Sequence, residues 1–82
     1  MTNSDAEVRK MIAESKRGAE AIGVCIARTL AETDPTLPRR MSMHAHAMYQ
    51  ALFERGEGHA SEMMFMFARA LLDQSVFPEE EK

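Results

Sequence analysis

The sequence predicts an all-α fold, a three-helix bundle with a long N-terminal helix followed by a C-terminal helical hairpin. Three observations predict it. Apolar residues recur at spacings of three and four, the period of a helix that buries one face. The Pro35–Pro38 and Gly56–Gly58 stretches cut the chain into three such segments. No segment makes a convincing strand: His44-Ala45-His46-Ala47 alternates, but alanine favours helix and the flanking residues are helical in pattern.

The first helix is expected from Ser4 to about Glu32. Ser4-Asp5-Ala6-Glu7 matches a capping box, in which the serine and glutamate side chains satisfy orphan N–H groups at the helix start. Val8, Ile12, Ser15, Ala19, Ile22, Ile26 and Thr29 then alternate spacings of four and three, with Met11 and Leu30 beside the same stripe. Asp34-Pro35 ends the helix, because proline disfavours helical geometry in the residue before it.

The second helix follows the Pro35-Thr36-Leu37-Pro38 connection, and Met41, Ala45, Met48, Tyr49, Leu52 and Phe53 form its broad apolar face. Gly56 is placed to end it in the left-handed conformation. The short Gly56-Glu57-Gly58 link makes the third helix antiparallel to the second. That third helix is expected from about His59 to Ser75, with Phe77-Pro78 as its stop. Residues 1–78 form one domain on this reading, and the acidic 79–82 tail is expected to be disordered.

Helix length bears on assembly. A first helix of that span is about 42 Å long at 1.5 Å per residue, whereas a compact domain of this size is roughly 30 Å across. The surplus implies either a bend at Gly18 or Gly23, or an apolar stripe that meets another chain. Ser15, Gly18, Ala19 and Gly23 are small and lie on or beside the stripe, so a homodimer is the expectation and a bent monomeric bundle the alternative.

Composition narrows the function classes. The 82 residues are 28% charged and 45% hydrophobic, a globular rather than disordered balance. The formal net charge of −3 argues against general nucleic-acid binding, which needs surplus Lys and Arg to displace counterions. Cys25 is the single cysteine, so no internal disulfide forms and a reducing, cytoplasmic setting is expected. The N-terminus lacks the pattern of a signal peptide, and no apolar run approaches the roughly 20 residues of a membrane span.

Motifs for chemistry are sparse. Met41-Ser42-Met43-His44-Ala45-His46-Ala47-Met48 offers the thioether and imidazole groups that suit copper, but His44 and His46 point about 200° apart on one helix. A copper or zinc site from His44, Met48 and His59 is an alternative; the preferred reading puts Met41 and Met48 in the core, with His46 facing water. His59 and Glu62 share a face, yet carboxylate-bridged metal centres use the reverse order and more glutamates. Cys25 sits well inside a helix, far from the N-terminal position that activates a thiol, and is expected to pack. There is no phosphate-cradling loop. Helices two and three resemble a helix-turn-helix only in outline, because Arg69 is the one cation on helix three and Arg39-Arg40 precede helix two. A dimeric DNA-binding regulator is therefore a second alternative.

Met63-Met64-Phe65-Met66-Phe67 is the strongest functional signal, since five large apolar residues in succession go right round a helix. Six of the eight methionines fall between Met41 and Met66, and Met suits adaptable contact surfaces. The expected function is a small acidic, non-enzymatic protein–protein interaction module: an adaptor, regulator or inhibitor of a larger protein, of the kind phages and mobile elements encode. No cofactor is expected. Phe53, Met63, Met66 and Phe67 would dock, and Glu54, Glu57, Glu62 and Asp73 would complement a basic partner.

Overall fold

In a computed structural model of the chain, residues 2–77 are described; the tail expected at 79–82 and the Pro78 stop lie outside them. Three helices follow in order: α1 (Thr2–Ala31), α2 (Leu37–Glu54) and α3 (Gly58–Ala70). The described residues form an all-α bundle without a strand. The α2–α3 hairpin is its most extensive pairing, and α1 lies along both of the other helices.

Helix α1 starts two residues before the expected cap, so Ser4 is inside the helix and the capping box does not form its end. Asp5 instead sits in the first turn, where its charge opposes the positive end of the helix dipole. The helix runs on without interruption through Gly18 and Gly23. Its 30 residues amount to about 45 Å, and the molecule reaches 56 Å along its longest axis with a radius of gyration of 15.0 Å. A compact chain of this size has about 12 Å. The overhang inferred from the sequence is therefore present.

Helix α2 begins earlier than its connection suggested, taking in Leu37 and the buried Pro38. Proline is tolerated there because the first turn has no partner for its N–H. Asp34 organises the approach: its Oδ1 accepts from Thr36 N at 3.1 Å and Thr36 Oγ1 at 2.7 Å, and its Oδ2 pairs with Arg40. At the far end Gly56 adopts φ +81°, as expected. Gly56 N donates to Phe53 O and Glu57 N to Leu52 O, both at 3.0 Å, the paired bonds of a Schellman stop.

Helix α3 is shorter than its apolar pattern implied. It ends at Ala70, not Ser75. Asp73 Oδ1 accepts from Ser75 N at 2.9 Å and Ser75 Oγ at 2.7 Å, and this local turn competes with helical hydrogen bonding. Leu71 still reaches the interior, where it is 1% exposed, while Leu72 stays in solvent.

Small residues let the hairpin close. Ser42 and Ala45 of α2 and Ser61 and Ala68 of α3 are all buried, and Ser42 Oγ donates to Ala68 O at 2.8 Å across the seam. Helix α1 meets the hairpin through small groups as well: Ala27 is fully buried, Ala13 and Ala31 are half-buried, and the ring of Phe67 covers Gly23. The buried hydrophobic residues among those described are Ala27, Ala45, Ala68 and Leu71. Three are alanines. Larger side chains such as Met41, Leu52, Met63, Met64 and Phe67 are half-buried around them.

Candidate functional site

What the bundle leaves outside is more telling than what it encloses. Val8, Met11, Ile12, Ile22, Ile26 and Leu30 are each about half or more exposed, with Ile22 at 65%. Ser15, Ala19 and Thr29, the smaller members of the stripe, are exposed too. At 100° per residue the stripe lies about a third of a turn from the Ala13–Gly23–Ala27–Ala31 face that meets the hairpin. The apolar face of α1 thus looks away from the bundle. Cys25 lies beside it and is also exposed, which corrects the expectation that this thiol packs.

The second exposed surface is an aromatic row on the hairpin. The Tyr49 ring is 5.5 Å from His46, 6.3 Å from Phe53 and 5.2 Å from Phe65, all tilted. The Arg69 guanidinium lies 5.9 Å from the Phe65 centroid, within cation–π range. Phe53 ends the row at 66% exposure. Sequence reasoning named Phe53 but not Tyr49, His46 or Phe65 as its companions. The i, i+4 spacing of Tyr49 and Phe53 was the available signal; the arrival of Phe65 from α3 is a tertiary event.

The expected docking residues divide between two places. Met63, Met66 and Phe67 line a groove of about 470 Å³ between α3 and α1, facing Ala19 and Gly23. Phe53 is not part of that groove. Met66 is half-exposed, whereas Met63 and Phe67 are half-buried against α1. Lys16 Nζ closes one side by donating to Glu62 Oε1 at 3.2 Å. Ala19 belongs to both the groove and the outer stripe, so the two apolar surfaces are continuous.

The four acidic residues are likewise spread out. Glu54 and Glu57 sit at the α2–α3 turn, Glu62 on the α1 side of α3, and Asp73 beyond the other end of α3. Glu57 pairs with Arg55 at 2.9 Å and Glu62 with Lys16. The Ser75 hydroxyl and N–H hold the Asp73 carboxyl below its usual range, and the Thr36 hydroxyl does the same for Asp34, reinforced by Arg40. These shifts belong to turn geometry. They build no single acidic field.

The residues of the metal alternative are not brought together. The Ser42–Ala68 hydrogen bond sets the hairpin register, which places His59 opposite the stretch near Ala51. His44 is about 10 Å from that level along α2, at 1.5 Å per residue. Met48 is 54% exposed and Met41 half-buried, so Met48 is not the core residue the sequence suggested. Among the described residues, no group of three His, Cys, Asp or Glu side chains is arranged to hold a metal ion. No helix among them is long and apolar enough to cross a membrane.

No protein-family model, curated protein or solved structure matches the chain.

Proposed function

We propose that this chain is a small, non-enzymatic protein–protein interaction module, an adaptor, regulator or inhibitor that acts on a larger protein by contact. One observation carries the reading: about half of the large apolar side chains are exposed, and among the described residues the buried hydrophobic ones are three alanines and a leucine. The stripe on α1 leaves about 600 Å² of apolar surface, the upper end of what a typical monomer exposes, and such patches are often contact sites. The aromatic row ending at Phe53 supports a hetero-partner, because Tyr and Phe supply large contact area at low entropic cost and dominate interface energetics. With the carboxylates dispersed or ion-paired, blocking by shape fits better than a broad acidic field.

A photo-reactive residue in place of Phe53, introduced in the native cell, tests this reading. The expected result is a discrete covalent adduct with a different protein, absent when the probe replaces Ala47 on the other side of α2. Equal, diffuse labelling at both positions would overturn it.

A further inference from the structure

We infer that the outer stripe of α1 is covered by a second copy of this chain, the two α1 helices lying antiparallel as a short coiled coil. The inference rests on the contact-module reading and names the first of its partners. The stripe keeps strict four-three spacing over the helix, the repeat that two helices need to stay face to face along a seam. Helix α1 turns this repeat outward and meets its own hairpin through Ala13, Gly23 and Ala27 instead.

Area favours a copy as occupant. Six aliphatic side chains, each about half exposed, leave about 600 Å² per protomer and about 1,200 Å² for a pair, the lower edge of a stable specific interface. Ser15, Ala19 and the adjoining Met66 add to that figure. The groove beside Ala19 widens the seat without a change in the bundle.

Charge and shape favour the antiparallel arrangement. From Asp5 to Arg17, α1 carries four cations against three carboxylates; from Gly18 to Glu32 the helix and its exit carry one cation against two. Antiparallel pairing sets the positive half beside the negative half and opposes the two macrodipoles. Parallel pairing would align like halves and place Asp5, which continues the stripe three residues before Val8, beside its own copy. In the antiparallel register Ile12 meets Ile22 of the second copy, Val8 meets Ile26, and the small Ser15 and Ala19 meet at the centre. Lys16, near the two-fold axis, is held by Glu62 of its own chain, which removes a like-charge contact there.

Light scattering on the full chain provides the first test, with a mass of twice 9.2 kDa expected at tens of micromolar. Ile22→Glu should give a monomer that keeps its helical circular dichroism, because Ile22 makes no part of the buried core. Met43→Glu, at an equally exposed site on α2, should remain a dimer. Direction is read separately in a Cys25→Ser background: Ile12→Cys and Ile22→Cys proteins, mixed and mildly oxidised, should form the mixed disulfide in preference to either homodisulfide. A wild-type monomer throughout the concentration series, a dimeric Ile22→Glu variant, or homodisulfides alone would each overturn the inference. The Phe53 adduct is an independent readout, so these failures leave the contact-module reading standing.

Discussion

The ring of Phe67 lies so close to the backbone of Gly23 that a β-carbon there would sit 2.6 Å from Cε1 and 2.7 Å from Cζ. A side chain at this position would have to push the Phe67 ring aside. A double-mutant cycle exposes it. Gly23→Ala gains about 1 kcal/mol of helix propensity but forces the ring aside at about 1–3 kcal/mol, so the expected net change in urea is destabilising. In a Phe67→Ala background the same substitution should stabilise. Equal effects in both backgrounds would show that the two residues do not interact in solution.

Ser42 joins the hairpin helices from inside, with its hydroxyl on Ala68 O at 2.8 Å and only 6% of the residue exposed. Ser42→Ala removes the donor and nearly conserves volume. The expected loss is about 1–2 kcal/mol in the urea midpoint. Thr36→Ala, at an exposed turn, should cost less.

Acid should loosen the two turns selectively. Asp34 and Asp73 both titrate below the 3.8 of a free aspartate when folded. A depressed folded pKa gives stability that is complete above the unfolded value and lost as pH falls through the folded one. Melting temperature should therefore be insensitive to these groups at neutral pH and begin to fall through them below about pH 4. Asp34→Asn and Asp73→Asn should each flatten that acid limb. An unchanged slope in both variants would remove the turns from acid sensitivity.

The exposed Cys25 thiol reports on the stripe beside it. Its reaction with a bulky aromatic disulfide should slow as protein concentration rises, because pairing of α1 covers the neighbouring Ile22 and Ile26. The Ile22→Glu variant should react at a concentration-independent rate. Loss of that contrast would separate Cys25 from the covered surface.

The helices were legible in the sequence because their signals are local. Apolar period, the proline-bearing connection and the left-handed Gly56 place all three without tertiary information. The end of α3 was not legible for a physical reason: Leu71 and Leu72 continue the apolar pattern, while the Asp73–Ser75 hydrogen bonds override it. The inward face of α1 was hidden more deeply. Ala13, Gly23 and Ala27 carry almost no hydrophobic signal, so the eye goes to Ile12, Ile22 and Ile26, which point outward. Phe67 made the choice, and its partner on α1 is far away in sequence.

The overhang of α1 has a consequence for amide hydrogen exchange. Residues 4–12 are all exposed, although they are helical. An isolated helix needs roughly 12–15 residues to hold itself in water, so this arm borrows its order from the anchored turns behind it. Its amides exchange fast in a lone chain, while those around Ala27 exchange only through larger openings. In the proposed pair, contact along Val8 and Ile12 would convert that arm into a protected one, so slowed exchange over residues 4–12 would report the second copy rather than the bundle.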